Sequence, residues 1–114
     1  MSATLIVDVF SGLPNPQWMI SGDVLVQLQH LLAQLPQLPA GLPAEPPGLG
    51  YRGLILQMSP TADPAEGIRI WGGYVQDGAK TLLDPNRSLE RWLLETGMRS
   101  AHASIVSEIL KEIR

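Results

Sequence analysis

A cluster of prolines in the middle of the chain limits what this sequence can fold into more than any other feature. Five of the ten prolines of the 114-residue chain lie between Pro36 and Pro47. Each proline fixes its own φ and biases the preceding residue away from the helical region. We therefore predict that residues 36–50 are extended and similar to a polyproline II helix, with the regular elements on either side.

The proline-rich segment has two interpretations. A chain of this length supplies one hydrophobic core, so residues 1–114 are predicted to form a single domain in which 36–50 is an internal connector. Leu38, Leu42 and Leu49 would then pack on the protein's own surface. The alternative is a docking strap for a partner that binds proline-rich sequences. We favour the connector because of those leucines.

The residues before this segment predict a strand and then a helix. Residues 4–10 are dense in β-branched and apolar side chains on both parities, which is typical of a strand covered on both faces. Ser21 is a good N-cap, and Asp23 lies in the first turn of the helix that follows. The apolar face of this helix recurs every three or four residues until Pro36 ends the pattern, and consists of Val24, Leu25, Leu28, Leu31, Leu32 and Leu35.

The residues after the segment predict three strands and two helices. The strands cover 51–58, 68–76 and 79–83, and Asp77-Gly78 is typical of a two-residue hairpin turn between the last two. Ser88 is the expected N-cap of a short helix over 89–96, with Gly97 in a left-handed conformation at its end. The last helix is predicted from a stripe of five branched aliphatic side chains, Ile105, Val106, Ile109, Leu110 and Ile113.

This order of elements favours an α+β fold. We predict a two-layer sandwich of about four mostly antiparallel strands with the helices on one face. One helix between the first two strands also allows a right-handed crossover that pairs those strands in parallel.

Charge and composition exclude several classes of function. Eight Lys and Arg against eleven Asp and Glu give a net charge of −3, which argues against a nucleic-acid binder. The chain has no cysteine, so disulfides and thiolate chemistry are excluded. No signal peptide or membrane-spanning run is evident, and a cytoplasmic protein without membrane contact is the default expectation.

The loop 11–18 is the first candidate binding site. Pro14 and Pro16 flank Asn15, so the backbone is preset and loses little entropy on binding. Asn15 and Gln17 could then contact a partner beside the flat indole of Trp18. The structural alternative, which we favour, is that Asn15 caps the turn and that Trp18 folds back over the following helix.

Aromatic residues near two glycine-containing strands form the second candidate site. Tyr51, Trp71 and Tyr74 could line an apolar pocket with Trp18, and Arg52 at its rim could hold a carboxylate or phosphate. Gly72-Gly73 would mark a bulge or a close approach of another backbone. The alternative is that the aromatic rings fill the space that those glycines leave.

No coherent catalytic set is evident. Asp8, in a predicted central strand, must be paired or lie at the open end of the sheet, and Arg52 or Arg69 is the expected partner. The sequence shows no metal-binding motif, and the glycines of GLGYRG precede a strand rather than join a strand to a helix, so no metal or cofactor is predicted.

Three functional hypotheses follow. The first is a non-enzymatic binding or accessory domain that acts through a protein or peptide partner. The alternative is a small enzyme or enzyme subunit with the aromatic pocket, in which Asp8 is the acid–base group and Arg52 holds an anion. A third possibility is a homodimer formed through an exposed stripe of the C-terminal helix.

Overall fold

The computed structural model describes residues 2–9, 15–38, 51–58, 67–77 and 80–113. Most of the proline-rich segment and the predicted contacts of Leu42 and Leu49 therefore lie outside the described residues. Within those ranges the chain forms strands and α-helices in the order β1 (Ser2–Val7), β2 (Gln17–Ser21), α1 (Gly22–Gln34), β3 (Leu54–Gln57), β4 (Ile68–Trp71), β5 (Tyr74–Asp77), β6 (Lys80–Leu83), α2 (Ser88–Thr96) and α3 (Ala103–Ile113).

All six of these strands belong to one antiparallel sheet in the order β2-β1-β3-β4-β5-β6. The predicted α+β class is confirmed, with six strands rather than about four. The predicted parallel pairing of the first strand is wrong, because β1 and β3 are antiparallel with Leu5 opposite Leu56. The reason is that β2 follows β1 and pairs with it before α1 begins. β2 and β3 lie on either side of β1. Both are antiparallel to β1 and therefore run parallel to each other.

One hairpin of the sheet differs from its prediction and another agrees with it. The strand predicted over 68–76 is β4 and β5, which pair with Trp71 opposite Tyr74. Gly72 and Gly73 form the turn between them with φ of 61° and 94°, as a two-residue type I′ turn requires. The predicted hairpin of β5 with β6 is confirmed by the pairing of Asp77 with Lys80, and its turn residues lie outside the described chain.

One face of the sheet packs against the helices and forms the core. On the central strand β1, Ala3, Leu5 and Val7 alternate onto this face and are buried. Each helix contributes buried leucine, isoleucine or valine side chains to the same cluster, namely Leu25, Leu28, Leu89, Leu93, Leu94, Val106, Ile109 and Leu110. The central members of the C-terminal stripe are therefore buried within this protein.

Two predictions about the ends of the helices, the N-cap of α2 and the conformation of Gly97, are wrong. Ser21 does occupy the N-cap position of α1, but Ser88 is the first residue of α2 rather than its cap. The buried carboxylate of Asp84 supplies the cap instead, accepting bonds from the backbone amides of Leu89 at 2.8 Å and Glu90 at 3.1 Å. Gly97 has φ −81° and is not left-handed. None of the described helices combines the length and apolar character needed to cross a membrane.

Candidate functional site

The predicted binding residues lie in two separate places. Gln17 and Trp18 are on the edge strand β2, whereas Tyr51 and Arg52 immediately precede β3. Of the predicted aromatic pocket, Tyr51 and Trp71 come together, with ring centroids 5.7 Å apart and planes inclined by 59°. Tyr74 is opposite Trp71 across the hairpin. Trp18 packs elsewhere, so the four rings do not form one pocket.

Asn15 closes the base of the loop between β1 and β2. Its side-chain oxygen accepts a hydrogen bond from the backbone amide of Val9 at 3.0 Å, and the carbonyl of Pro16 accepts one from Val7 at 2.8 Å. These bonds agree with the interpretation favoured from the sequence, in which Asn15 caps the turn. Residues 10–14 lie outside the described chain.

Trp18 is partly buried against the C-terminal end of α2. Its indole Nε1 donates a hydrogen bond to Thr96 Oγ1 at 2.8 Å. Its six-membered ring lies directly on Gly97. The indole therefore folds back onto the protein as predicted, but onto α2 rather than α1. Gln17, its neighbour on β2, is exposed.

A β-bulge just before β3 fixes the backbone positions of Tyr51 and Arg52. The amide of Asp8 donates to the carbonyl of Gly53 at 3.0 Å, and the amide of Arg52 donates to the carbonyl of Asp8 at 2.7 Å. Asp8, the residue after β1, thus faces two residues of the other segment, which defines a bulge. Gly53 has φ 104°, and a Cβ there would be 2.6 Å from the carbonyl oxygen of Ile70, so only glycine fits. The predicted bulge is therefore here and not at Gly72-Gly73.

Arg69, not Arg52, is the partner of Asp8. Both terminal nitrogens of Arg69 lie 3.3 Å from Asp8 Oδ2, and Nη1 also donates to the carbonyl of Arg52 at 3.1 Å. The Nε of Arg52 is buried and has no hydrogen-bond acceptor among the described residues. The Arg69 guanidinium, the Asp8 carboxylate and the backbone of Arg52 thus meet at the bulged end of the sheet.

A fully buried carboxylate, Glu90, lies beside this end and was missed from the sequence. It accepts bonds from Tyr51 OH at 2.5 Å, from the Gly72 amide at 3.2 Å, and from Arg87 Nε and Nη2 at 2.9 and 2.8 Å. The only local signal was the pattern of α2, in which Glu90 falls beside the buried Leu89 and one turn before Leu93 and Leu94.

Backbone conformation and charge hold this buried network together. Asn86 and Arg87 have φ of 57° and 56°, which is uncommon for residues with side chains. The resulting turn brings the Arg87 guanidinium 5.0 Å from the centre of the Trp71 ring and onto Glu90.

The hydrogen bonds to Glu90 raise the pKa of Arg87. Burial, and then the charge of Glu90, raise the pKa of the Tyr51 hydroxyl well above its usual range. Burial also raises the pKa of Asp84, which its two backbone amide bonds oppose. The network therefore holds β3, the β4–β5 turn and α2 together.

The two edges of the sheet differ in how they are covered. Beside β6, Gln37 forms a bridge with Leu82, the amide of Leu38 donates to the carbonyl of Thr81, and the amide of Leu83 donates to the carbonyl of Pro36, both at 2.8 Å. The first residues of the proline-rich segment thus pack on the protein itself. No described residue pairs with the outer edge of β2.

The outer edge of β2 carries an exposed side chain and outward-directed backbone groups with which no described residue pairs. Because Val7 is bonded to Pro16, antiparallel alternation directs the amides and carbonyls of Trp18 and Ile20 to β1 and those of Gln17 and Met19 outward. The side chain of Met19 is 67 % exposed. The strand contains no charged residue and no proline, which are the usual devices that protect an edge.

Two grooves lie beside the two edges of the sheet. One, of about 340 Å³, is bounded by α1 and α2 and includes Val24, Trp92 and Arg99. The other, also about 340 Å³, lies between the end of α1 and the β5–β6 hairpin. Within the described ranges, no group of three or more acidic or histidine side chains could hold a metal ion. The chain matches no protein-family model, no curated protein and no solved structure.

Proposed function

We propose that this protein is a non-enzymatic binding domain that takes an extended segment of a partner protein along the outer edge of β2. The observation that carries the proposal is the difference between the two edges of the sheet. β6 is covered by Pro36–Leu38, whereas β2 presents outward backbone groups with which no described residue pairs, no charged side chain and an exposed Met19. An extended peptide that adds to such an edge gains main-chain hydrogen bonds, and side chains beside the strand give specificity.

The chain already contains one example of this kind of pairing. Pro36–Leu38 is an extended segment that adds to the edge of β6 through two backbone hydrogen bonds of 2.8 Å. A partner segment on β2 would use the same interaction in trans. Trp18 holds β2 in place, because its hydrogen bond to Thr96 joins the strand to the end of α2. A strand held in this way loses little entropy when a partner binds.

The enzyme alternative has less support. Asp8, its acid–base candidate, is bonded to Arg69. His30 is exposed on α1, and His102 lies just before α3. A cytoplasmic location and a homodimer through the C-terminal helix stay predictions from the sequence.

Two variants of Met19 test the proposed edge. Met19→Pro removes the outward amide and keeps the bonds that Trp18 and Ile20 make to β1, since proline is tolerated at such edge positions. Met19→Ala removes the side chain and keeps the amide, so it is the matched control. The probes are short peptides selected from a random library against the wild-type protein.

We expect the selected peptides to bind Met19→Pro about tenfold or more weakly and Met19→Ala less than tenfold more weakly. Amide hydrogen exchange should show that bound peptide protects the amides of Gln17 and Met19. Peptides that bind Met19→Pro as tightly as the wild type, or that protect only other amides, would refute the proposal. If Met19→Pro does not fold, Met19→Lys blocks the same edge with a charge. Light scattering that shows a dimer lost in the same variant would identify a second copy as the partner.

A further inference from the structure

The outer edge of β2 is complementary to itself when two copies of it run antiparallel. The strand has five residues, and Met19 is the middle one. A two-fold axis at Met19 places Gln17 of one copy opposite Ser21 of the other. It places Trp18 opposite Ile20 in the same way, so polar side chains meet polar ones and an aromatic ring meets a β-branched chain. Because β2 contains no charged residue, no like charges are opposed.

The direction of the backbone groups fits the same axis. The amides and carbonyls of Gln17 and Met19 point away from β1, whereas those of Trp18 and Ile20 bond to it. Met19 of each copy would therefore exchange two backbone hydrogen bonds with Met19 of the other. The side chains of Gln17, Met19 and Ser21 are exposed, and no described residue pairs with this edge.

The two-fold axis also determines which helices meet. Trp18 packs on the C-terminal end of α2, whereas α1 begins directly after Ser21, so the two helix ends lie beside different ends of β2. Directly opposite residues of an antiparallel pair share one face of the sheet, so the helices of both copies would lie on the same side. The end of α2 in one copy is then beside the start of α1 in the other.

These helix ends carry complementary side chains. Arg99, shortly after α2, and Asp23, in the first turn of α1, are both exposed, and neither forms an ion pair with a described residue. Next to them, Met98 is 44 % exposed and Val24 is 38 % exposed. The two-fold pairing brings Arg99 of each copy near Asp23 of the other and covers apolar surface that a single chain leaves in water.

We propose that the segment bound by β2 is β2 of a second copy, paired antiparallel about Met19, so that two sheets become one continuous sheet. The inference rests on the proposed function, since it names the occupant of the same edge. A closed two-fold dimer is the commonest symmetry of protein assemblies. It also covers an edge that would otherwise be open to aggregation.

The absence of cysteine from the chain allows a test of this register. In Met19→Cys the two substituted positions face each other with Cα atoms about 5.5 Å apart, a distance that a disulfide spans. Gln17→Cys, at an exposed position on the same edge, is the matched control, because its two Cα atoms would lie about 14 Å apart. With oxidised glutathione we expect covalent dimers of Met19→Cys to form rapidly and those of Gln17→Cys slowly. A mixture of Gln17→Cys with Ser21→Cys should link rapidly, because these positions are opposite each other.

Charge reversal tests the contact between the helix ends. Asp23→Arg and Arg99→Asp each place like charges at both copies of the contact, so each should weaken dimerisation about tenfold. A mixture of the two variants should recover association as a heterodimer, because each contact then joins one arginine to one aspartate. Lys80→Asp, on β6 at the opposite edge, is the control and should dimerise like the wild type. Light scattering over a concentration series measures all four proteins.

Several results would overturn the dimer. They are a wild-type mass of one chain at every concentration up to the solubility limit, equal linking rates of Met19→Cys and Gln17→Cys, or a charge-variant mixture that associates no better than its components. If Asp23→Arg does not fold, the cysteine variants decide the question. A monomer that still binds selected peptides along β2 would overturn the dimer and leave the proposed function standing. A monomer that binds none would overturn both.

Discussion

The indole ring of Trp18 lies on the backbone of Gly97 with no room for a side chain between them. A Cβ at position 97 would be 2.5 Å from both Cη2 and Cζ2 of the indole. Gly97 has φ −81°, which any residue adopts, so the close contact and not the backbone conformation requires glycine here. This contact, with the bond of Trp18 Nε1 to Thr96, joins the edge strand β2 to the end of α2.

Gly97→Ala should destabilise the protein through the Trp18 ring. Overpacking a tight contact typically costs about 1–3 kcal/mol. The measurement is the free energy of unfolding in urea, for the single variants and for Gly97→Ala in a Trp18→Ala background. We expect the cost of Gly97→Ala to vanish in that background, because alanine favours the helical conformation of residue 97 once the ring is gone. An undiminished cost would show that the contact is not the cause.

Trp18→Ala should itself lower the stability. Removing a buried tryptophan costs about 3–5 kcal/mol, and we expect a value toward the lower end because Trp18 is only partly buried. A thermal melt compares the variant with Gln17→Ala, an exposed neighbour on the same strand. If Trp18→Ala melts like the wild type, the indole has no structural role, and it becomes the leading residue for partner binding.

Gly53→Ala tests the bulge that directs Arg52. At Gly22, φ is 61° and nothing lies within 4 Å of an added Cβ, so Gly22→Ala measures the cost of a left-handed alanine alone, about 1–2 kcal/mol. At Gly53 the added Cβ would also meet the Ile70 carbonyl at 2.6 Å. We expect Gly53→Ala to lower the unfolding free energy by roughly twice the cost of Gly22→Ala. Equal costs would mean that the bulge adjusts freely.

The parts of the fold that the sequence predicted are those with a strong local period. α1 and α3 carry apolar residues every three or four positions over three turns, and both helices are found where that period lies. β2 has five residues, and its alternation of Trp18 and Ile20 with Gln17 and Met19 is too short to distinguish from a loop. Missing it also reversed the predicted direction of β3.

The candidate sites depended on contacts that no local pattern encodes. Tyr51 and Glu90 are 39 residues apart in sequence, and the Asp8–Arg69 pair spans 61 residues. A charge in a central strand must be paired or lie at the open end of the sheet, so a cation was expected beside Asp8, with Arg52 and Arg69 as equal candidates. The structure pairs Asp8 with Arg69, and the bulge at Gly53 places the backbone carbonyl of Arg52 within reach of the same guanidinium.

Breaking the pair of Arg87 with Glu90 should be among the most destabilising single changes. Arg87→Met leaves a fully buried carboxylate without its cation, which typically costs about 3–5 kcal/mol. The double variant Arg87→Met/Glu90→Gln removes the charge as well, and should unfold at a higher urea concentration than Arg87→Met alone. Lys111→Met breaks the exposed pair with Glu108 and is the control, with little effect expected. If Arg87→Met resembles this control, the buried pair does not stabilise the fold.

Tyr51 should make the protein lose stability in alkaline solution. Burial and the charge of Glu90 raise its pKa well above the usual range, so the folded protein keeps the proton that the unfolded chain releases above about pH 10. A group with a raised folded pKa contributes its full stability below the unfolded pKa and loses it as the pH rises. Above about pH 10 this loss is about 1.4 kcal/mol per pH unit for one proton. The urea unfolding free energy of Tyr51→Phe should lack that slope, so the difference between wild type and variant shrinks as the pH rises. A difference that stays constant across this range would show that Tyr51 ionises equally in both states.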